Sequence, residues 1–424
     1  MYRTVLLGLA LAGAARAVEV PLKIEQAEAL ALENHPRIGE AAQLALAAGE
    51  VTREVRAAYF PVITFNITAV DALNKSRIAA GGLNNPVLFS RAADGVSMTQ
   101  LVTDFGRTRK LTQSARLREE AARTGLWTAE TEIALQADLA YFSLLRARAL
   151  LTVAHQTVAA RRTRAEQIGA LAESKLRAGI DVTFADVQLS EARLFESRSE
   201  NEALAAQARL AAALGTPERQ YVLSEVPLHP PLAGDPQRWI GVALARRPDL
   251  VAARLEDEAA GRFASAEAAL VNPTVSLAGV AGNVIEPENS PNLREDYRAI
   301  GVNVSVPVFN GGLFTARRRE AEDRARAKHE QMRALEVAVV RDVKVAWLAE
   351  KTAFERLAVT RELLAHAREL LDLADQRYEN GLGSIVELGQ AQLGLTTAEI
   401  EASTARYEYQ TQAAILARQL GPPR

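Results

Sequence analysis

Apolar and polar positions alternate with a period of two in four short stretches of the chain, a pattern that predicts β-strands. The four stretches are 62–70, 96–105, 274–285 and 300–309. In the first, Ile63, Phe65 and Ile67 fall on one face and polar residues alternate with them on the other. The second is the weakest, because Gln100 interrupts its apolar face. Each stretch is about ten residues long, the length that a tilted strand needs to cross a bilayer.

Four strands leave two open sheet edges, and open edges are not tolerated in lipid. If these strands cross a membrane, several chains must therefore share one barrel. The alternative is an ordinary sheet edge in a soluble protein. The alternating pattern by itself leaves both interpretations open.

Two much longer stretches carry a helical pattern. Residues 107–178 contain no Pro, and the 67 residues of 313–379 contain neither Gly nor Pro. A helix of that length would extend about 100 Å at 1.5 Å per residue. Apolar residues recur every seven positions in the second stretch, in two series; Glu350 interrupts the first, and Thr360 falls within the second. The two series are Val343, Leu357, Leu364, Leu371 and Tyr378, and Ala346, Ala353, Ala367 and Ala374. Such a repeat predicts a coiled-coil seam.

Each long helix is predicted to turn back on itself. A second long helix is expected over 183–214 and over 384–420, and shorter helices over about 37–58 and 248–270 precede the strand pairs. Gly179 and Gly381 stand at the two turns. A helical hairpin needs a residue that tolerates positive φ at its turn, so both glycines are expected to adopt that conformation.

The chain contains the same unit twice. LENHPRI near the start resembles LARRPDL about 212 residues later, and FPVITF resembles NPTVSL at the same offset. The repeats are assigned to 18–214 and 240–424. The Pro-rich segment 215–239 between them is predicted to be a linker rather than a helix.

Composition narrows the class of protein. Residues 1–17 are predicted to be a signal peptide, because Arg3 precedes an apolar run and Ala15-Arg16-Ala17 fits a cleavage site. The formal net charge is −2, which does not favour nucleic acid as a partner. The chain has no cysteine, which excludes disulfides and a lipidated N-terminal cysteine. No phosphate loop, zinc motif or nucleophile elbow occurs, so no enzyme activity, metal or cofactor is expected.

The two predicted tips carry the most specific motifs. They read RAGIDVTFADVQLSEA at 177–192 and YENGLGSIVELGQAQ at 378–392. Each has a glycine, an acid about six residues later, and then Ala or Ser followed by Glu or Gln. Together with the signal peptide, the repeat, the strand pairs and the long helices, these motifs resemble the outer membrane efflux proteins of the TolC type.

The resemblance implies a mostly α protein with a small membrane β-barrel. Three chains with four strands each would form a twelve-stranded barrel in the outer membrane, and the helices would continue it as a periplasmic tunnel. The implied function is the exit duct of a tripartite export system, gated at the helical tips. The implied partners are outer membrane lipid, a periplasmic adaptor (a membrane fusion protein) and an inner-membrane transporter of the RND, ABC or MFS type.

The resemblance also assigns roles to residues. Tyr378 would bond Asp186 in the closed gate, and Glu387 and Gln390 would occupy the acidic ring at the narrowest point. The adaptor would engage Ala178, Gly179, Ile180, Asn380, Gly381 and Leu382. The chain departs from the family pattern at Gly383, where some members carry a gate arginine, and at Gln390, which is not acidic.

Simpler structural roles fit the same residues. Tyr378 fits a core position of the heptad seam. Asp186 and Glu387 fit the first turn of a helix, where the macrodipole favours negative charge. Two other functions also fit the sequence. One is a type I protein secretion channel of the same fold, and the other is a periplasmic coiled-coil scaffold without a barrel.

Overall fold

The structure is a computed structural model that describes residues 21–71, 73, 90–175, 178–217, 219–285 and 295–421. The predicted signal peptide, 1–17, lies outside the described residues. So do 72, 74–89 and 286–294, which belong to the loops of the two predicted strand pairs.

The order helix, strand, strand, long helix, long helix occurs twice along the chain. The helices are α1 (Ile24–Asn34), α2 (Pro36–Ala57), α3 (Arg107–Glu173), α4 (Gly179–Ala213), α5 (Pro236–Arg246), α6 (Pro248–Ala268), α7 (Leu313–Glu379) and α8 (Ile385–Gln419). The strands are β1 (Val62–Val70), β2 (Arg91–Thr103), β3 (Thr274–Ile285) and β4 (Asp296–Ser305).

The chain forms two compact units. The sheet unit consists of 40–128 and 244–340 and holds all four strands, whereas the helical unit consists of 21–39, 129–243 and 341–421. The long helices α3 and α7 contribute residues to both units. Among the described residues, no helix combines the length and the apolar content that crossing a membrane would require.

The sheet is antiparallel throughout, in the order β1-β2-β3-β4. Its register brings apolar residues opposite one another, as in Phe65 with Val96 and Val275 with Val304. Gln100, which interrupts the apolar face of β2, donates a hydrogen bond from Nε2 to the Tyr59 carbonyl at 3.0 Å. The polar side chain is therefore used to tie β2 to the residues just before β1.

Two strand boundaries differ from the prediction. β2 begins at Arg91 rather than at 96, and β4 covers 296–305 rather than 300–309. The valines at 306 and 308 continue the alternation beyond the end of β4. Pro307 stands between them and has no N–H to donate to a neighbouring strand. The apolar pattern therefore continues where the hydrogen-bonded ladder does not.

The observed boundaries of the long helices agree with the prediction only in part. α7 covers the predicted 313–379, whereas α3 ends at Glu173 rather than at 178 and α4 begins at Gly179 rather than at 183. Lys175 has a φ of 59°. The expectation of positive φ at Gly179 is wrong, because Gly179 is the first residue of α4 and Lys175 adopts the left-handed conformation instead.

Part of the predicted linker is helical. α5 begins at Pro236, inside the segment assigned to the linker, because proline is well tolerated at the first position of a helix. Hydrogen bonds attach the rest of the segment to α8. Gln410 donates from Nε2 to the Val226 carbonyl at 2.7 Å, and the Tyr407 hydroxyl donates to Glu225 at 2.8 Å.

Glu350 explains the interruption in the α7 heptads. Its side chain is buried, and its carboxylate accepts the N–H of Leu232 in the linker at 3.4 Å. Burial raises the pKa of Glu350, and the hydrogen bond from Leu232 opposes that rise. The acid in the seam is thus an attachment point for the linker.

Candidate gate at the helical tips

The second tip joins α7 to α8 through a glycine-based helix end. Gly381 has a φ of 72°, as predicted. The N–H of Leu382 donates to the Arg377 carbonyl at 2.8 Å, and the N–H of Gly381 donates to the Tyr378 carbonyl at 3.1 Å. This pair of bonds gives N–H donors to two carbonyls that the end of the helix would otherwise leave without partners.

Glu387 has local roles in the same tip. It lies in the first turn of α8, where its N–H donates to the Ser384 hydroxyl at 3.1 Å. Its carboxylate forms an ion pair with Nε of Arg377 at 3.1 Å, with both side chains about half exposed. Its negative charge is therefore compensated within its own hairpin.

Gly383 leaves the space that this ion pair needs. A Cβ at position 383 would lie 3.2 Å from Cβ of Arg377 and 3.3 Å from Oε2 of Glu387. The Arg377 guanidinium also donates to the Leu382 carbonyl at 3.2 Å. We call Arg377, Leu382, Gly383 and Glu387 the tip clasp. All of its contacts lie within the second hairpin.

The structure places Tyr378 in the seam between α7 and α8. Its side chain is 3% exposed and packs in a cluster with Ala374, Leu388 and Ala391. This is the heptad core position that the sequence offered as its simpler role. Asp186 is exposed on α4, and its carbonyl accepts a hydrogen bond from the Ser190 hydroxyl at 2.8 Å. A gate bond between Tyr378 and Asp186 stays a prediction.

The remaining predicted site residues are all exposed. Glu387 and Gln390 are three residues apart and therefore share one exposed face of α8. The predicted docking residues Ala178, Gly179, Ile180, Asn380, Gly381 and Leu382 are also exposed. Ile180 is 76% exposed and Leu382 is 72% exposed. Each tip therefore exposes a large apolar side chain.

Two contacts that the sequence analysis missed join the hairpins near their tips. Phe184 of α4 packs against Gly389 of α8, and Arg164 of α3 forms an ion pair with Asp375 of α7. A glycine inside a helix lowers its stability and often has a packing reason, so Gly389 was a usable signal. The ion pair joins residues 211 positions apart, and no local pattern marks it.

A second charged cluster of the helical unit lies among α1, α3 and α8. Arg418 binds Glu28 at 2.9 Å and Asp138 at 3.5 Å. Burial raises the pKa of Asp138 to about 8, with a further rise from the Glu28 carboxylate and an opposing effect of Arg418. This carboxyl group therefore keeps its proton near neutral pH.

Known proteins share both the sequence pattern and the fold. The profile of the family described as "Outer membrane efflux protein" matches residues 29–216 and 239–422, one match in each repeat. The outer membrane efflux protein BepC of Brucella suis is 25% identical over 323 residues, which cover 74% of this chain and 68% of BepC. The outer membrane protein TolC of Vibrio cholerae is 25% identical over 390 residues, which cover 89% of this chain and 86% of TolC.

A solved structure supports the same assignment at the level of the fold. The outer-membrane channel OprN superposes with a TM-score of 0.83 at 23% identity, over 94% of this chain and 89% of OprN. The chain is an outer-membrane exit duct, which confirms the function and the location predicted from the sequence. With both repeats matched by one profile and the whole fold shared with such a channel, the chain belongs to the outer membrane efflux protein family.

Proposed function

We propose that three copies of this chain form one duct, in which each copy contributes its four strands to a shared twelve-stranded barrel. The observation that carries the proposal is the open sheet of the single chain. Within the described residues, β1 and β4 are the two edges of the sheet. An edge exposed to lipid would leave N–H and C=O groups without partners. Pairing β1 of one copy with β4 of the next satisfies both edges.

The side chains of these edges support contact with outer membrane lipid. Ile63 and Phe65 on β1 and Ile300 and Val302 on β4 are large, apolar and exposed. On the opposite face of the sheet, the Tyr297 ring lies over glycine backbone in β2 and β3. In a membrane barrel, the strand residues that face lipid are apolar, and they alternate with residues that face the lumen.

The tips are the proposed contact surface for a periplasmic adaptor, which would connect the duct to an inner-membrane transporter. The exposed Ile180 and Leu382 offer apolar anchors for such a contact. The same proposal gives Tyr378 and Asp186 the role of a closed-state bond, and it places Glu387 and Gln390 at the narrowest part of the tunnel. The chain supplies a path and a gate, and it carries no catalytic step of its own.

Assembly in detergent tests this proposal. The protein extracted from outer membranes should require detergent, and light scattering after size-exclusion chromatography should give three chains per particle. Circular dichroism should show a mainly helical spectrum with a β contribution. A monomer that is soluble without detergent would contradict the shared barrel and favour the periplasmic scaffold.

The cargo is decided by a separate experiment, because small-molecule efflux and protein secretion can share one kind of duct. A deletion strain that becomes sensitive to toxic small molecules supports efflux. A strain that keeps its resistance but loses a protein from the culture medium supports secretion.

A further inference from the structure

Each helical hairpin of the helical unit is closely packed within itself. The first hairpin is α3 from residue 129 with α4, and the second is α7 from residue 341 with α8. Each of their helices carries one buried series that repeats every seven residues and consists mostly of small side chains. In the first hairpin they are Ala147, Ala154, Arg161 and Ile168 with Ala185, Ala192, Ser199 and Ala206. In the second they are Ala346, Ala353, Thr360, Ala367 and Ala374 with Ala391, Ala398 and Ala405. Small side chains allow helices to approach closely, and in the second hairpin Tyr378 of α7 packs with Leu388 and Ala391 of α8, so each hairpin is expected to move as one body.

Near the tips, an aromatic side chain of one hairpin fills a gap in the other. A Cβ built on Gly389 would lie 2.7 Å from Cε1 and 2.9 Å from Cζ of Phe184. Only a residue without a side chain leaves α8 open to the ring at this depth. Gly394, five residues further along the same helix, has nothing within 4 Å of such a Cβ. The missing side chain at Gly389 therefore makes room for the Phe184 ring, and no such contact exists at Gly394.

The second contact between the hairpins is ionic. Arg164 and Asp375 form an ion pair whose side chains are 20% and 33% exposed. The pair joins α3 directly to α7, and partial exposure keeps it open to water and salt. The Phe184 contact is apolar and non-directional, whereas the ion pair requires a defined geometry. The two contacts therefore respond differently to salt.

We propose that Phe184 seated against Gly389, together with the Arg164–Asp375 ion pair, is the latch that holds the two hairpins of one chain in the closed arrangement of the tips. The proposal rests on the proposed function, because a latch requires tips that open. Opening withdraws the Phe184 ring from α8 and separates the two charges. The seams inside each hairpin, with Tyr378 in the second, stay intact during this movement.

Resting conductance of the purified trimer, without adaptor or transporter, measures the latch. Phe184→Ala should raise the open fraction of single channels by about tenfold, because it removes the packed ring. Gly389→Ala should act in the same direction, because its methyl group displaces the ring. Gly394→Ala is the matched control, since it makes the same chemical change in the same helix where no neighbour is close, and it should conduct like the wild type.

Combined variants separate a latch from general damage. Phe184→Leu with Gly389→Ala should open less than the sum of the two single variants, because the shorter side chain leaves room for the methyl group. Arg164→Asp and Asp375→Arg should each open the channel, and together they should close it again. The effect of these charge variants should shrink at high salt, whereas the effect of Phe184→Ala should persist.

A reversible crosslink gives a direct test, because the chain has no cysteine of its own. Arg164→Cys with Asp375→Cys, joined by a reducible thiol crosslinker, should hold the channel shut until a reductant is added. Should Phe184→Ala fail to form trimers, Gly389→Ala carries the same test with a change of one methyl group.

Two outcomes overturn the latch in distinguishable ways. If the wild type exports and conducts while Phe184→Ala and Gly389→Ala behave like Gly394→Ala, the latch alone is wrong. The same holds if a completed crosslink leaves the open fraction unchanged. If the wild type neither exports nor conducts even with adaptor and transporter present, the proposed function is wrong and the latch fails with it.

Discussion

At the scale of single residues, the acids of this chain differ sharply in environment. Glu387 is half exposed and paired with Arg377, so it remains in contact with water. Asp138 is 4% exposed and shares Arg418 with Glu28. Removing a carboxylate from water disfavours its charged form, and a second carboxylate nearby adds to the effect. Burial and the nearby Glu28 carboxylate therefore raise the pKa of Asp138.

Asp138 predicts a pH-dependent stability. Its folded-state pKa of about 8 lies above the unfolded value of 3.8, so the folded protein keeps a proton that the unfolded chain releases between about pH 4 and pH 8. Stability from this group is therefore fully present below pH 4 and is lost as pH rises to about 8. Asp138→Asn should remove the dependence, so its stability relative to the wild type should rise with pH across this window.

Thermal unfolding of the detergent-solubilised trimer between pH 4 and pH 9 checks this expectation. The difference between the variant and the wild type should grow by at most about 1.4 kcal/mol per pH unit and level off above pH 8. Glu33→Gln, which removes an exposed acid from α1, controls for net charge. A constant difference between Asp138→Asn and the wild type across the range would contradict the buried, protonated carboxyl.

At the scale of elements, the strands and the long helices rely on different patterns. The strands alternate with period two and pair through a defined register, so adjacent residues point to opposite faces. The helices repeat every seven residues and bury small side chains along one seam. A one-residue change of position therefore reverses the face in a strand, whereas in a helix it rotates the side chain by about 100°.

Neighbouring positions on β4 test the assignment of faces. Val304 pairs with Val275, whereas Asn303 pairs with Ser276. Val304→Arg should prevent trimer assembly in the outer membrane, because a charge facing lipid near the midplane costs about 2–4 kcal/mol. Asn303→Arg is the matched control on the other face and should assemble. The amount of trimer in isolated outer membranes measures both variants, and equal assembly would show that Val304 does not face lipid.

At the scale of the whole molecule, any charge on the tip appears three times in the proposed trimer. Glu387 and Arg377 compensate each other within one chain, so three such pairs add little net charge to the tunnel. Removing one partner leaves three unpaired charges of one sign. Walls of low dielectric constant focus the field of such charges on passing ions.

The two partners should therefore shift ion selectivity in opposite directions. Arg377→Gln leaves three carboxylates and should raise the preference for cations, whereas Glu387→Gln leaves three guanidinium groups and should lower it. Reversal potentials in bilayers with a salt gradient measure both shifts. Shifts in the same direction, or none, would place the tip clasp away from the conduction path.

Much of this architecture was readable from the sequence, because the periodic patterns are strong and local. The long run without Gly or Pro gave the full extent of α7, and the alternating apolar residues gave β1 and β3 at their observed boundaries. Gly381 was identified as the turn because positive φ favours glycine. The family assignment followed from motifs that two profile matches then confirmed.

What the tertiary structure decided lies where distant segments meet. Lys175 rather than Gly179 adopts the left-handed conformation, and Gly179 begins α4 instead. Glu350 interrupts a heptad series in the sequence, and the structure shows that its carboxylate accepts the N–H of Leu232 in the linker. The sequence alone determined the elements and their periodicity, since those depend on neighbouring residues. Only the fold could decide that Phe184 meets Gly389 and that Arg164 meets Asp375, because contacts between residues some 200 positions apart leave no periodic trace in the chain.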